Sequence, residues 1–580
     1  MFDVLGKLSW FFKEYWKQYT IAIILLITAS VMEVIPPYLL GSLIDILTVG
    51  GMTRAILGKY LLIFITILLI GYMLNFVWQY RLFEGAINLQ KIMRRKLMLQ
   101  FLRMTPTFYE KNRTGDLMAR ATNDLNAVSI TAGFGIMTLI DSTIYMSAII
   151  MAMGFMISWK LTFFAMLPVP IMAILIQYLG KIVHERYMKA QDAFGELNDN
   201  VLESVAGVRV IRAYVQEKKD EVDFASKCEE VYEKNIHTAK INALFNPITK
   251  IGTGISYVVA LGYGAFLVST GEMTVGQLIT FNVYLGLAVW PIFAIGELIN
   301  VMQQGNASLD RVQETLDYNA DVQNTEHPVK VKIPNAIGFN DLEFQYPMSQ
   351  VKNLQQISLS LKKGETLGIV GKTGAGKTTF LRQLLREYPL DEGQLNIAGI
   401  DIASQTKEQI LDWIGYVPQD HVLFSRTIRE NILFGKEDAT DEELQEAVRL
   451  AYFEKDLGSL PMGIETLVGE KGVSLSGGQK QRVSIARALI KDPEILILDD
   501  SLSAVDAKTE AKIIKNIQNE RSGKTTIITT HRLSGVQHAN QIIVLDEGQI
   551  TEQGTHEQLL KLNGWYREQF DRQQLEGGLS

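Results

Sequence analysis

The sequence contains almost no cysteine: Cys228 is the only one among 580 residues. An intrachain disulfide and a zinc site built from several cysteines are therefore excluded. Positive charge is not in excess either, because 56 Lys and Arg residues are outnumbered by 63 Asp and Glu residues, which gives a net charge of −7. This balance gives no reason to expect nucleic-acid binding. Hydrophobic residues make up 47% of the chain, and they are concentrated in its first half.

Charge is also missing from long apolar stretches of that first half. Residues 61–80 contain no charged side chain, and a helix of this length spans about 30 Å, the thickness of the hydrocarbon core of a bilayer. Other stretches pass the same test, two of them with an internal acid, Glu33 in one and Asp141 in the other. Six transmembrane helices are predicted, at about 19–46, 61–80, about 126–157, 161–180, 251–271 and 273–296.

Among the acids in or beside these apolar stretches, Glu33, Asp141 and Glu297 are the candidate substrate residues. A carboxylate facing lipid is costly, so we expect these side chains to face the interior of the helix bundle, where they would attract cationic amphiphilic substrates. The alternatives are a structural pair or a position near the membrane surface. The sequence does not decide between these interpretations.

The segments between the apolar stretches alternate in length. Residues 81–125 and 181–242 are long, helical in pattern and rich in Lys and Arg, which predicts that they extend into the cytoplasm. Both chain ends are then cytoplasmic. Glycines interrupt the pattern near 114–124 and 204–214, where we expect the extensions to turn. Residues 1–19 mix aromatic and charged residues, which is typical of an interfacial helix ahead of a transmembrane domain at 20–316. The alternative is a cytoplasmic extension of the first span.

The composition changes after the last apolar stretch. Residues 317–335 are polar and contain two prolines, which predicts a linker. From 336 to 572 strand and helix patterns alternate, as in an α/β domain, and 573–580 is expected to be a C-terminal tail. The predicted fold class is therefore an α-helical membrane domain, with six transmembrane helices and long cytoplasmic extensions, followed by an α/β nucleotide-binding domain.

A phosphate-binding loop stands at the start of the α/β domain. The stretch GIVGKTGAGKTT fits G-x-x-x-x-G-K-[ST] and lies between an apolar strand and a helical pattern, the context that this motif requires. Its glycines let main-chain N–H groups surround phosphates, while Lys377 reaches the β and γ phosphates and Thr378 binds Mg²⁺. The nucleotide-binding residues are predicted to be Gly371, Lys372, Thr373, Gly374, Ala375, Gly376, Lys377, Thr378 and Thr379. Asp499 ends the later apolar strand ILILD and is expected to hold the same magnesium ion.

A second motif, LSGGQ at 475–479, precedes that strand. Here the chain resembles the ABC transporter superfamily, whose signature this is. Ser476, Gly477, Gly478 and Gln479 begin a helix and so provide another anion-binding N-terminus. In the family this helix faces the γ-phosphate bound to the other subunit, so the resemblance implies that two chains complete each ATP site.

The resemblance assigns roles to further residues. Tyr346 matches the aromatic residue that stacks on adenine, and Gln419 matches the residue that contacts Mg²⁺ and the attacking water. Asp506 matches the D-loop at the dimer interface, and His531 matches the switch histidine on the γ-phosphate. Glu470 matches a loop typical of exporters.

The layout is similar to that of an exporter-type half-transporter. In such a transporter the turns of the two cytoplasmic extensions, here predicted near 114–124 and 204–214, are coupling helices. The resemblance implies an ATP hydrolase in the cell membrane that uses ATP and Mg²⁺, with Asp500, His531 and Gln419 as catalytic residues. It also implies the bilayer, a second half-transporter and small amphiphilic compounds as partners.

Asp500 departs from the family, which usually has glutamate there. Its side chain is shorter by one C–C bond, about 1.5 Å, and a misplacement of about 1 Å can cost roughly 10²-fold in rate. The site is therefore expected to bind ATP well and hydrolyse it slowly. Because the LSGGQ signature is intact, we expect a heterodimeric multidrug exporter whose partner supplies the catalytic glutamate. The alternatives are a slow homodimer, a lipid or peptide exporter, and a regulatory ATP-binding membrane subunit.

Overall fold

The computed structural model describes residues 3–391, 393–469 and 475–578. The chain divides into two compact units. One contains the residues up to Leu102 together with Thr114–Tyr318, and the other contains Arg103–Arg113 together with the chain from Asn319 onward. The described part of the first unit consists of helices, whereas the second combines helices with two β-sheets. The fold class predicted from the sequence is confirmed.

The first unit is built from helices that run almost without interruption. Its α-helices are Asp3–Lys7, Ser9–Glu14, Trp16–Met32, Ile35–Thr48, Arg54–Arg103, Thr114–Ala119, Leu125–Ile130, Ile136–Ile140, Met146–Met153, Trp159–Met166, Pro168–Ala206, Val208–Ala213, Glu217–Asn242, Phe245–Ser269, Val275–Leu287 and Val289–Leu316. Four π-helical turns join helices in the middle of this series: Arg120–Asp124, Thr131–Gly135, Asp141–Tyr145 and Gly154–Ser158.

Five continuous helical runs among the described residues are long and apolar enough to cross a membrane. The longest, Thr114–Ala206, has 93 residues and would extend about 140 Å as a straight helix, which is too long for one crossing. It changes direction at Ser158, whose extended backbone (φ −164°, ψ 123°) caps the next helix by accepting a hydrogen bond from the Leu161 N–H. This run therefore contains two of the six predicted spans, one on each side of Ser158.

Two transmembrane helices touch through glycines. A Cβ atom added to Gly276 would lie 2.0 Å from the Gly41 carbonyl oxygen, so only glycine permits this approach. Asp45 lies one turn further along the same helix as Gly41. Its carboxylate accepts hydrogen bonds from the Gly276 N–H (2.8 Å) and the Thr274 hydroxyl (2.7 Å). The helix Ile35–Thr48 is thereby joined to the N-terminus of the helix Val275–Leu287.

The amino-terminal segment is packed against its own unit. Val4, Leu8 and Phe11 are fully buried, and the Lys96 ammonium lies 3.9 Å from the centre of the Trp10 ring. The first long helix begins at Trp16, within the range 1–19 that was predicted to be interfacial.

Of the two turns between the long helices, the first lies before its predicted position and the second overlaps it. The helix Arg54–Arg103 ends before Pro106, which begins the short helix Pro106–Lys111, and the next helix begins at Thr114. The first turn therefore lies at 104–113, before the predicted 114–124, because Pro106 rather than Gly115 interrupts the helix. The second turn contains the helix Val208–Ala213 and overlaps the predicted 204–214.

The described residues of the second unit form ten strands. They are β1 (Ala336–Phe344), β2 (Leu354–Lys362), β3 (Thr366–Gly371), β4 (Leu395–Ile397), β5 (Ile400–Asp401), β6 (Ile414–Val417), β7 (Ile495–Asp499), β8 (Thr525–Thr529), β9 (Gln541–Asp546) and β10 (Gln549–Gly554). The order β2-β1-β4-β5 forms an antiparallel sheet. The order β10-β9-β3-β8-β7-β6 forms a sheet that is parallel except for β10.

Helices cover these sheets and enclose two hydrophobic cores. The α-helices of this unit are Pro106–Lys111, Lys377–Leu384, Lys407–Trp413, Ile428–Leu433, Asp441–Leu450, Glu454–Leu457, Gly477–Leu489, Ala507–Glu520, His556–Leu562 and Trp565–Gly578. Between the two sheets Phe339 stacks on Phe380 with ring centres 4.4 Å apart. Because β3, β7 and β8 are parallel neighbours, their carboxyl ends meet at one edge, where ligands bind in open α/β sheets.

At the ends of this unit one predicted boundary, the start of the C-terminal tail, differs from the structure. The linker begins one residue after the helix that ends at Leu316, and its Val329 N–H donates to the Ser404 carbonyl (2.9 Å), so part of it packs on the α/β unit. The last helix continues to Gly578. Residue 573, predicted to start a tail, therefore belongs to a helix.

Candidate nucleotide-binding site

The phosphate loop lies between β3 and the helix Lys377–Leu384. Gly371, Gly374 and Gly376 have φ values of 149°, 83° and 102°, which residues with a side chain rarely adopt. A Cβ atom on Gly371 would lie 2.1 Å from the Leu545 carbonyl oxygen of β9. The predicted glycines are therefore required by the path of the loop, and they leave its main chain accessible to phosphate oxygens.

Lys377 points back into the loop. Its Nζ donates to the carbonyl oxygens of Gly371 (2.8 Å) and Lys372 (2.9 Å), and the residue is 8% exposed. Burial lowers the pKa of Lys377, while Asp500 and Asp499 oppose that shift. The ammonium group is thus held among main-chain oxygens, which it can exchange for the oxygens of a nucleotide.

Asp499 lies at the end of β7, beside the phosphate loop. Its Oδ1 accepts hydrogen bonds from the hydroxyls of Thr378 (3.2 Å) and Thr529 (2.7 Å), and Tyr416 donates to its Oδ2 (3.4 Å). Asp499 is 1% exposed. Two of the three residues predicted to bind magnesium, Thr378 and Asp499, are therefore in direct contact.

This donor set fits Mg²⁺, which prefers oxygen ligands and keeps some of its coordination for phosphates and water. Among the described residues no group of three His, Cys, Asp or Glu side chains could hold a metal ion, so the protein offers only part of an octahedral shell. Thr378 and Asp499 would hold the ion, which would neutralise phosphate charge when bound. Gln419 is exposed two residues after β6, whose Val417 pairs with Leu498 of β7. It therefore lies at the same edge of the sheet.

Asp500 follows Asp499 in a left-handed conformation, with φ of 45°. Its N–H donates to the carbonyl oxygen (3.0 Å) and to the hydroxyl (3.0 Å) of Thr529. Burial raises the pKa of Asp500, whereas His531 and Lys377 lower it. Burial and Lys377 lower the pKa of His531, and Asp500 opposes that shift. The two predicted catalytic residues are therefore neighbours and are coupled electrostatically.

Tyr346 follows β1 and lies beside the helix Lys377–Leu384, which begins at the end of the phosphate loop. Its hydroxyl donates to the Thr379 hydroxyl (3.0 Å), and the edge of its ring contacts Tyr388, with centres 5.1 Å apart. The ring is half-buried, which leaves surface for the predicted stacking on adenine. Tyr388 in turn donates to Glu110 (2.5 Å) in the short helix Pro106–Lys111.

Residues 19–292 match the family described as ABC transporter transmembrane region, and residues 354–503 match the family described as ABC transporter. The chain belongs to the ABC transporter family. Its second unit is accordingly the ATP-binding domain of a membrane transporter, in which ATP hydrolysis is coupled to transport.

Several relatives match this transporter over nearly its whole length. It is 59% identical to the probable multidrug resistance ABC transporter ATP-binding/permease protein YheI of Bacillus subtilis, over 100% of both chains. It is 39% identical to the multidrug resistance-like ATP-binding protein MdlA of Escherichia coli, over 99% of this chain and 98% of the relative. A bacterial Atm1-family ABC exporter with ATP bound has a TM-score of 0.82 and 26% identity, with 96% of this chain and 99% of that chain covered.

The LSGGQ signature begins the helix Gly477–Leu489. Ser476 and Gln479 form a capping box, in which the Ser476 hydroxyl accepts from the Gln479 N–H (3.3 Å) and the Gln479 side chain accepts from the Ser476 N–H (3.0 Å). Ser476 and Gly477 are exposed and Gly478 is half-buried. The N-terminus of this helix is therefore open to a ligand from outside the chain.

One acidic neighbour holds the signature helix, and the sequence did not single it out. Asp456 accepts hydrogen bonds from Gln479 (3.2 Å) and from Arg482 (2.8 Å). Asp506 caps the helix Ala507–Glu520 by accepting from the Thr509 N–H (3.0 Å), and it is exposed as expected for an interface residue. No local pattern marks Asp456, because its partners lie more than twenty residues away. Glu470 lies outside the described residues.

The three membrane acids differ in their surroundings. Asp141 is 8% exposed and begins a π-helical turn, where its carboxylate accepts a hydrogen bond from the Trp290 indole N–H (2.9 Å). Glu33 and Glu297 are exposed on the chain taken by itself. The structure therefore places one predicted substrate residue, Asp141, inside the packed helices.

Proposed function

We propose that this ABC transporter is one half of a heterodimeric exporter of amphiphilic compounds. Its own phosphate loop binds ATP and hydrolyses it slowly, and its LSGGQ signature completes a faster site on the partner. Asp500 carries this proposal. The carboxylate that should position the attacking water is one carbon–carbon bond shorter than that of the usual glutamate, whereas the contacts of Lys377, Thr378 and Asp499 needed for binding are present.

The open signature supports a role for a second chain. Ser476 and Gly477 are exposed at a helix N-terminus that attracts anions, and Asp506, expected at the dimer interface, is also exposed. A single chain that hydrolysed ATP without a partner would have no use for an anion-binding terminus that is open to solvent.

The second turn between the long helices supports the same conclusion. The helix Val208–Ala213 has no buried residue, and Val210, Tyr214 and Val215 are 61%, 73% and 79% exposed. Apolar side chains grouped on a helix tip are typical of a protein–protein contact. We assign this tip to the partner's ATP-binding domain. The Lys- and Arg-rich extensions support a cytoplasmic location for the tip, for both chain ends and for the ATP-binding domain, in a multi-pass protein of the plasma membrane.

Amphiphilic compounds are the proposed substrates because two relatives are described as multidrug resistance proteins and because Asp141 lies buried beside Trp290. A lipid is the second candidate, since a relative with 32% identity over 82% of this chain is described as an ATP-dependent lipid A-core flippase of Syntrophus aciditrophicus.

Transport in inside-out vesicles tests the proposal. The vesicles should contain this chain with its native partner and receive ATP, Mg²⁺ and a fluorescent cationic dye. ATP-dependent accumulation of the dye supports export of amphiphiles. ATP hydrolysis that is stimulated by a labelled lipid but by no dye supports the lipid exporter. Hydrolysis without movement of either compound contradicts export and supports a regulatory subunit.

A further inference from the structure

The last helix of the chain contacts the loop that carries the switch histidine. The side-chain amide of Gln573, in the helix Trp565–Gly578, donates to the His531 carbonyl oxygen (2.8 Å) and accepts from the Leu533 N–H (2.9 Å). One amide thus binds the main chain on both sides of Arg532. We call this pair of hydrogen bonds the Gln573 clasp.

The helix is fixed where it begins, so it can serve as a support. Tyr566 is fully buried, and its hydroxyl is 2.7 Å from His556 Nδ1. The Glu552 carboxylate, on β10, accepts hydrogen bonds from the N–H groups of Trp565 and Tyr566 at the first turn of the helix. A carboxylate at a helix N-terminus satisfies main-chain donors and complements the helix dipole. The position of Gln573 is therefore set by β10 and the core.

Among the described residues, the other hydrogen bonds of the 531–533 loop do not involve the two main-chain groups that Gln573 binds. The Arg532 guanidinium donates to Glu510 (3.0 Å) and to the Val505 carbonyl oxygen (2.9 Å). The Arg532 N–H donates to the Thr530 hydroxyl (2.9 Å), and the Arg532 carbonyl oxygen accepts from the Gly535 N–H (3.1 Å). These contacts fix the Arg532 side chain and give each peptide that flanks Arg532 one hydrogen bond, to which the clasp adds a second. The His531 carbonyl and the Leu533 N–H are the groups that the clasp satisfies.

We propose that Gln573 is a positioning residue that sets the conformation of the 531–533 loop and thereby the place of the His531 imidazole beside the phosphate loop. The imidazole is attached directly to the peptide that the clasp holds. Without the clasp the peptides that flank Arg532 would rotate more freely, and a displacement of about 1 Å at a catalytic group costs up to about 10²-fold in rate. This role goes beyond the proposed asymmetry of the two sites, because it applies to an identical and to a non-identical partner.

Amide hydrogen exchange tests the clasp without requiring turnover. In the purified native transporter with ATP bound, Gln573→Met removes both hydrogen bonds at nearly constant volume. We expect exchange of the Leu533 amide to become about fivefold faster, the effect of losing a hydrogen bond of ordinary strength. The matched control is Gln574→Met, at the exposed neighbouring position, which should leave the exchange unchanged. Unchanged exchange in Gln573→Met would overturn the proposal.

A double-mutant cycle tests whether the clasp acts through the histidine. Gln573→Met should lower the ATPase rate by no more than His531→Ala does, should leave the Kd for ATP within about twofold, and should have no effect in the His531→Ala background. A loss of rate in that background, or a loss where His531→Ala has none, would show a general structural effect and contradict the positioning role.

One further variant distinguishes the loss of the two hydrogen bonds from a general unfolding of the loop. Gln573→Glu keeps the oxygen that accepts from Leu533 but loses the donor to His531, so its exchange and rate should lie between those of wild type and Gln573→Met. Equal effects of the two variants would contradict separate roles for the two hydrogen bonds. The subunit composition of the transporter is measured separately, so a homodimer would refute the asymmetry while leaving these comparisons interpretable.

Discussion

The Thr378 hydroxyl donates to the Asp499 carboxylate across 3.2 Å, which joins the helix after the phosphate loop to the end of β7. These are the two protein oxygens that fit Mg²⁺, and they come from segments 121 residues apart. The contact explains why the site can bind nucleotide. In the proposed function the rate of hydrolysis depends on Asp500, the next residue.

Lys377 is expected to be the main side chain for phosphate binding. Lys377→Met should weaken ATP binding about 10- to 100-fold, because a hydrogen bond to a charged group contributes about 1.5–3 kcal/mol. Fluorescent-nucleotide titration of the purified transporter measures this change. Lys363→Met is the control, since Lys363 precedes β3 at the opposite end of the strand and pairs with Glu494 (2.7 Å). An equal effect of both variants would refute the assignment.

Asp500→Glu is expected to raise turnover at this chain's own site by up to about 100-fold, because the carboxylate then reaches about 1.5 Å further. The residue has a φ of 45°, a conformation that aspartate tolerates better than glutamate, so the variant should also lose about 1 kcal/mol of stability. Single-turnover hydrolysis and thermal unfolding check the two effects. If the rate stays the same, the limiting defect lies in the signature that the partner contributes.

Asp45 is expected to stabilise the membrane unit by joining two transmembrane helices. Asp45→Ala removes the acceptor for the Gly276 N–H and the Thr274 hydroxyl and should cost about 1–2 kcal/mol, the usual effect of losing a helix cap. Thermal unfolding in detergent measures this loss. The exposed Glu272, a few residues away, supplies the control Glu272→Ala. Equal melting temperatures for the two variants would contradict the role of Asp45.

Asp141 is expected to recognise positive charge on substrates. Asp141→Asn keeps an oxygen that can accept from the Trp290 indole but removes the charge, so transport of a cationic dye should fall about five- to tenfold while a neutral substrate is unaffected. Vesicle transport of both compounds measures the difference. Glu272→Gln, at an exposed position outside the candidate substrate residues, is the control. A parallel loss for both compounds in Asp141→Asn would indicate a structural role only.

The sequence was sufficient for the parts of the molecule whose signals are local. Uncharged apolar stretches predicted the spans, and Gly371, Gly374 and Gly376 predicted a loop that requires their positive φ values. The first turn between the long helices lies before the position predicted from Gly115, because Pro106 cannot continue the helix that precedes it. Asp456 and Gln573 were missed because each binds residues far away in the sequence, and no periodicity records such contacts.

The composition of the native complex tests the central claim most directly. The chain should be extracted from its own membrane in mild detergent and its intact assembly weighed by native mass spectrometry. The account predicts one copy of this 65.2 kDa chain with one copy of a second ABC half-transporter that has glutamate at the position matching Asp500. An assembly of two identical 65.2 kDa chains would contradict the account, since both ATP sites would then contain aspartate.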